Sequence, residues 1–286
     1  MGDCSRKERG TAVNTVARVR EVIEEAYPPE LAESWDQVGL ICGDPQAPVT
    51  KVAFALDCTL AVAQRAVEIG AQMLAVHHPL LLRGVHSVAA DTPKGKVLHT
   101  LITGGVALIA AHTNADSARP GVNDRLAQLV GITPGRPIKP TDPTFQPLNE
   151  ATGLGRVGEL PAPMRLGDFV QQVADALPET AWGVRATGDP EQMVRTVAVS
   201  SGSGDSFLDA VRDLGVDVYV TSDLRHHPVD EYLRAGGPAV IDTAHWASEF
   251  PWTSQAAEIV AKQTGLDTEV IDIRTDPWTI SAHPRG

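Results

Sequence analysis

Two adjacent histidines, His77 and His78, follow the apolar run Gln72–Val76 and precede Pro79. Imidazole nitrogen binds divalent metals and exchanges protons near neutral pH, so the pair marks a chemical site if both rings reach one point. Successive residues of a strand face opposite ways, so the two rings converge only where the strand has ended, and Pro79 supplies that end. The other reading of the pair is one packed and one solvated histidine. Two similar elements occur later, each just after an apolar run: His112 and Asp116 in AHTNAD, and His245 and Glu249 in AHWASE. Imidazole and carboxylate together suit zinc, manganese, iron or magnesium. His77, His78, Asp116, His245 and Glu249 are more donors than one tetrahedral ion uses. They suit two divalent ions about 3.5–4 Å apart that share a bridging carboxylate or water.

These residues need elements to hold them. Asn14–Tyr27 has helical periodicity and stops at Pro28-Pro29. Lys51–Leu56 reads as a strand, Thr59 caps a helix to Ile69, and Gln72–Val76 is the next strand, which makes a β-α-β unit with parallel strands. A helix around Lys96–Thr103 and a third strand, Val106–Ala110, lead to His112; Pro120-Gly121 then opens a helix through Val130. The second half repeats this order, with strand Thr196–Val199, a loop SGSG, helix Asp205–Leu214, strand Val216–Val220, a helix near Pro228–Arg234 and strand Ala239–Ile241. GAQMLAV aligns with GVDVYVT, His112 with His245, and Asp116 with Glu249. A lone His-x-x-x-acid element is more often surface than ligand, so the weight comes from its recurrence at equivalent places. Beyond the ends of parallel strands is also where open α/β sheets bind ligands. Pro251 argues against a helix at His245–Glu249 and for a loop entering a helix Trp252–Thr264.

Other residues carry weaker signals. His226 and His227 in DLRHHP either serve the site, as proton donors or by orienting ligands, or solvate a helix start. His112 is either a base beside the metal or a structural echo of His245. Gly202 and Gly204 in SSGSGD read as a tight turn rather than an anion cradle, because no GxxxxGK[ST] motif occurs.

Composition narrows the field. The chain of 286 residues, 43% hydrophobic and 21% charged, has the make-up of a globular α/β protein, and no apolar run approaches the roughly 20 residues of a membrane span. The start MGDCSRKERG and the adjoining TAVNTVARVREVIEE match neither a secretory signal nor a myristoylation site, so a cytoplasmic protein is expected. Cys4, Cys42 and Cys58 have no disulfide or thiolate-zinc spacing. A net charge of −12 argues against binding to nucleic-acid backbone.

The segments SWDQVGLICGDP, GAQMLAVHHPLLLRG, AHTNADSARPGVNDRLA, TSDLRHH and AHWASE, in this order, resemble the GTP cyclohydrolase 1 type 2 homologues, also called the Nif-three-like family. The resemblance runs from about Val16 to Asp272. It implies two similar three-layer α/β lobes with a dinuclear metal site in the cleft between them, and a ring-shaped homohexamer. Its metal ligands fall on His77, His78, Asp116, His245 and Glu249. Val76, Ala244 and Asp223 stand where relatives often have Ser, Gly and Glu, and the extra domain of longer relatives has no room here. The expected boundaries are a first lobe at 1–135, a connecting segment at 136–194 packed on the lobes, and a second lobe at 195–286. The expected function is a metal-dependent hydrolase acting on a small molecule, GTP or a related nucleotide, with His112 or His226 handling protons. The alternatives are a metal-dependent phosphoesterase and a non-enzymatic metal-binding scaffold or interaction protein.

Overall fold

Helix α1 (Val16–Ala26) forms because Val16, Val19, Val22 and Ile23 recur on one buried face, while the Thr15 hydroxyl accepts the Arg18 N–H at 3.3 Å and caps its start. The computed structural model describes residues 13–282; Cys4 and the MGDCSRKERG start lie outside the described residues. After α1 come β1 (Gly39–Cys42), β2 (Lys51–Ala55), α2 (Leu60–Glu68), β3 (Met73–Val76), α3 (Pro93–Thr103), β4 (Ala107–Ala110), α4 (Thr113–Ser117) and α5 (Val122–Leu129). A middle stretch holds the short pair β5 (Lys139–Pro140) and β6 (Gly153–Leu154), then β7 (Arg156–Arg165), α6 (Leu166–Ala176) and β8 (Arg185–Ala186). The rest is β9 (Met193–Ser203), α7 (Leu208–Leu214), β10 (Val218–Ser222), α8 (His226–Arg234), β11 (Ala239–Thr243), α9 (His245–Glu249), α10 (Trp252–Thr264) and β12 (Asp267–Val270).

Two five-stranded sheets result, ordered β1-β4-β3-β2-β12 and β7-β9-β10-β11-β8. The parallel trio β2-β3-β4 recurs as β9-β10-β11, and each trio has an antiparallel edge strand beside its last member, β1 on β4 and β8 on β11. The internal repeat is therefore real at the level of topology. It breaks at the other edge, where β12 joins β2 in parallel but β7 joins β9 antiparallel. Each sheet is covered on both faces, the first by α2 and α3 against α1 and α10, the second by α7 and α8 against α5, α6 and α9. Among the described residues, no helix is long and apolar enough to cross a membrane.

The lobe boundaries differ from those expected. Residues 136–194 are more than a connection, since β7 and β8 are the edge strands of the second sheet and α6 packs on it. The ends of the two repeats are also exchanged. In α5, Leu126 and Ala127 pack with Val197 and Val199 of the second sheet, whereas Trp252, Ala256 and Val260 of α10 pack with Val52 and Phe54 of the first. An apolar helix face must be covered, but its periodicity does not say by which sheet. The crossing bears on function: α4 and α9, which immediately precede the exchanged helices, are held at the seam between the lobes.

Candidate metal centre

The strand β3 is buried along its whole length, and directly beyond it the N–H groups of His77 and His78 both donate to the Leu56 carbonyl, at 3.1 and 3.0 Å. This turn brings the two rings to 5.0 Å between centroids, although consecutive strand residues would diverge. His112 stands at the N-cap of α4 with Asp116 inside that helix, and His245 opens α9 with Glu249 one turn later on the same face. The loop expected at His245–Glu249 is thus a short helix. Pro251 lies past its end, at the N-cap of α10, where its missing N–H breaks nothing.

All five expected ligands meet at the seam. The His78 and His245 Nε2 atoms are 3.4 Å apart, and each is 3.0 Å from Glu249 Oε2. His77 Nε2 lies 3.7 Å from both Asp116 Oδ1 and Glu249 Oε1. Two triads therefore share Glu249: His78, His245 and Glu249, and His77, Asp116 and Glu249. Despite these distances, the buried His77 Nε2 and Glu249 Oε2 have no hydrogen-bond partner. Donor atoms that are close yet not aligned with one another are aimed at a common point between them. The spacing fits that reading, because bonds of 2.0–2.2 Å to nitrogen and oxygen put neighbouring donors of one ion roughly 3–3.4 Å apart. The first triad meets this spacing, and the second is slightly wider. These residues could hold divalent metal ions.

The outer nitrogens support the same reading. The His77 Nδ1–H donates to the Ala111 carbonyl at 2.8 Å, which fixes the tautomer with the lone pair on Nε2. Carboxylates accept from the others: Asp57 from His78 at 2.7 Å, Asp36 from His112 at 2.9 Å, and Asp223 from His245 at 2.6 Å. Asp223 has φ 58°, in the left-handed region, the one such non-glycine among the described residues. Strain of that kind persists where the surroundings need it, here to bring a short Asp side chain to His245. Sequence reading passed over Asp36 and Asp57 and left Asp223 undecided. Asp57 follows the first strand of its β-α-β unit, which was the available signal.

Burial opposes charge throughout the cluster, yet the carboxylates outweigh it. They raise His78 to about 10, mainly through Glu249 and Asp57, and His245 to about 11, through Glu249 and Asp223. Glu249 is held well below its ordinary range by His245, His78 and His77, again against desolvation. Asp116 goes the other way, raised by burial. In the metal-free protein, imidazolium protons thus occupy the role that cations would take.

Two backbone features set the register of the ligands. The Asn123 amide donates to the Asp116 carbonyl at 3.0 Å and accepts the Ser201 N–H at 2.8 Å, while the Ser201 hydroxyl donates to Asp116 Oδ1 at 3.1 Å. The pairing of β9 with β10 slips between Val199 and Ser203, so SSGS is a bulge in a strand and not the turn expected. At Gly202, φ is +60°, and a Cβ there would stand 2.2 Å from Glu249 Oε1 and 3.1 Å from His245 Nε2. We expect Gly202→Ala to lower metal affinity about 10- to 100-fold, as loss of an outer-shell contact does. Titration against a competing chelator measures this, and an unchanged affinity would contradict the close-approach role.

Cavities open on the cluster from both sides. The larger, about 790 Å³, is lined by Trp35, His112, Lys139, Ser201, His245 and Glu249 among others. The other, about 370 Å³, reaches His78 and His245. His112 belongs to the cluster, a ring nitrogen of it grouped with those of His77 and His78 within 4.8 Å. His226 does not. It is exposed at the start of α8, packs edge-on against His227, and lines a separate cavity with Arg185 and Asp242, so the proton-handling role expected of it has no geometric basis.

Comparison with known proteins agrees with this architecture. A Streptomyces coelicolor protein named GTP cyclohydrolase 1 type 2 homolog is 48% identical over 273 residues, covering 92% of this chain and 94% of that protein. A Mycobacterium tuberculosis protein of the same name is 39% identical over 374 positions, covering 95% and 98%. That alignment is longer than the 286 residues of this chain, so the mycobacterial protein carries a stretch this one lacks. Among solved structures, a hypothetical protein from Staphylococcus aureus superimposes with TM-score 0.82 at 30% identity, over 93% of this chain and 99% of that one. The reduced form of HcgD from Methanocaldococcus jannaschii gives 0.74 at 26% identity, over 92% and 100%. The model of one family, Duf34/NIF3 (NGG1p interacting factor 3), matches residues 14–277, and the chain belongs to that family.

Proposed function

We propose that the protein is a dinuclear metal-dependent hydrolase, with His77, Asp116 and Glu249 holding one divalent ion and His78, His245 and Glu249 the other. The observation that carries the proposal is the convergence of three histidine Nε2 atoms, each ring anchored through its Nδ1, on the Asp116 and Glu249 carboxylates, with His77 Nε2 and Glu249 Oε2 buried and unpaired. Bound ions of this kind supply Lewis acidity and bring the pKa of water towards neutrality. The chain's own residues do the rest. Asp57 and Asp223 keep His78 and His245 oriented, and Asp36, itself fixed by the Thr113 N–H at 3.0 Å and hydroxyl at 2.6 Å, keeps the His112 ring turned to the cluster. His112 is the proton carrier of this proposal. The larger cavity offers Asn123, the Ser201, Ser203 and Ser206 hydroxyls and Lys139, which pairs with Glu33 at 2.8 Å, beside the candidate ligands; this polar lining, with metal ions bound to carry the phosphates, supports a small-molecule substrate such as GTP or a related nucleotide. The resemblance brings a cytoplasmic homohexamer into the same proposal.

The test is hydrolysis of GTP and of an activated phosphodiester by manganese-loaded protein, with His78→Ala and Asp116→Ala alongside. The proposal expects turnover of one substrate, lowered at least about 100-fold in either variant while far-ultraviolet circular dichroism is unchanged. Turnover of the diester alone favours the phosphoesterase. No turnover of either substrate, combined with a melting temperature that falls when metal is removed, favours a scaffold in which ions fasten the lobes.

A further inference from the structure

The smaller cavity is chemically unlike the larger one. Its wall contains three of the chain's five tryptophans, Trp182, Trp246 and Trp278, together with the carboxylates of Asp57, Asp223 and Asp276. No lysine or arginine is among its lining residues. Asp57 and Asp223 are committed to His78 and His245, but Asp276 is not committed to the metal ligands. It is only 6% exposed; its Oδ1 accepts the Trp278 N–H at 3.2 Å, and its Oδ2 is buried without any hydrogen-bond partner. A carboxylate oxygen removed from water and left unpaired is costly, and a positive charge beside it offsets that cost.

Aromatic faces complete the match. Trp278 is 59% exposed at this cavity, a large indole surface with open area, and it packs against Trp182 at 5.9 Å between centroids. Trp182 already has a cation on it, the Arg185 guanidinium carbon 4.5 Å from the ring centroid. Trp246 stacks on Phe250 and forms a rigid back wall. Indole faces attract cations through their quadrupole; Asp57 and Asp223 are paired with the imidazoles of His78 and His245, so it is Asp276, which has no ion-pair partner among the described residues, that adds to that preference. We propose that this cavity, walled by Trp182, Trp246 and Trp278 and closed by Asp276, is a binding site for an organic ammonium group.

The segment after β12 builds the site. It leaves the first sheet at Val270 and carries Thr275, whose hydroxyl donates to Asp57, and then Asp276 and Trp278, which meets Trp182 of the second lobe. An ammonium group held at Asp276 and Trp278 leaves the remainder of its molecule directed to the end of the cavity formed by His78 and His245. This inference goes beyond the hydrolase proposal and does not depend on it, because binding requires no turnover.

The probes are choline and its uncharged isostere neohexyl alcohol, in which carbon replaces the quaternary nitrogen. Both are titrated into manganese-loaded protein, followed by tryptophan fluorescence and calorimetry. Choline is expected to bind about tenfold more tightly than the alcohol, the ratio that a partly desolvated cation–π contact supports. Trp278→Ala and Asp276→Asn are each expected to weaken choline about tenfold and to leave the alcohol nearly unaffected. Trp278 is exposed and Asp276→Asn keeps its shape, so neither variant should unfold, and a far-ultraviolet spectrum checks this. Equal affinity for both probes would mean an apolar pocket without charge preference and would overturn the proposal. So would choline binding that ignores both substitutions, or no choline binding up to tens of millimolar.

Discussion

Glu249→Ala is expected to empty both halves of the metal centre at once, whereas Asp116→Ala and His245→Ala each empty one. Glu249 is the only residue common to the two carboxylate-containing triads, with Oε1 towards His77 and Oε2 towards His78 and His245. Elemental analysis after equilibration with excess manganese should give about two equivalents for the parent, about one for each single-triad variant, and fewer than one for Glu249→Ala. The affinity loss should exceed the 10- to 100-fold typical of removing an outer-shell partner, here about 1000-fold. Glu249→Asp should behave almost as badly, because a side chain one methylene shorter cannot reach both triads from the same helix position. Retention of two ions by Glu249→Ala, or a loss no greater than that of Asp116→Ala, would contradict the bridging role.

The same variant carries a pH signature in metal-free protein. His78 and His245 are raised from 6.5 to about 10 and about 11 largely by Glu249, so the stability they contribute is fully present below about 6.5. It is lost as pH rises through the folded values. The parent apoprotein should therefore lose stability progressively from about pH 6.5 up to about pH 10 to 11, and Glu249→Ala should show much less of that loss. Removing the carboxylate takes away the largest influence that raises the two imidazoles, while Asp57 and Asp223 still face their outer nitrogens.

Local rules reached the five residues of the candidate site but not their supports. A strand ended by His77-His78-Pro79, and a repeat that aligned His112 with His245, were readable because strand alternation and proline punctuation act over a few residues. The anchoring carboxylates were not, since Asp36 and Asp57 lie 76 and 21 positions from the histidines they hold. Gly202 read as a turn because the β9 bulge is imposed by the register of β10, which no local pattern encodes. The helix at His245–Glu249 was misjudged because the exclusion that a proline imposes was extended past the break between α9 and α10. The exchange of α5 and α10 was hidden for a deeper reason. Both helices have an apolar stripe that either sheet could cover, and only the packed molecule decides between them.

That exchange rests on one arginine, and Arg156→Met is expected to destabilise the protein by about 3–5 kcal/mol. Arg156, at the start of β7, is fully buried and uses all five of its N–H groups. Nε and Nη2 each donate to the Asp124 carboxylate at 2.8 Å, Nη2 also to the Ala118 carbonyl at 2.7 Å, and Nη1 to the carbonyls of Gly153 and Gly155 at 2.6 and 2.7 Å. Asp124 belongs to α5, so the fork ties the exchanged helix to the second sheet. Methionine fills much of the space but leaves three carbonyls without these donors and the buried Asp124 carboxylate with only Arg119 at 3.3 Å and the Gly121 N–H at 2.9 Å, and this loss of pairing dominates the cost. Adding Asp124→Leu should recover only part of the loss, because the carbonyls stay unsatisfied. Arg156→Lys should recover less than half of it, since an ammonium has three donors and no planar fork. The effect should also reach the metal centre: Ala118 lies two residues from Asp116, and Asn123, which clamps the Asp116 carbonyl, adjoins Asp124. Metal affinity of the His77–Asp116 triad should therefore fall more than that of the His78–His245 triad. Urea unfolding and chelator titration read the two effects separately, and a stability loss under about 1 kcal/mol would show that the fork is not what holds α5 across the seam.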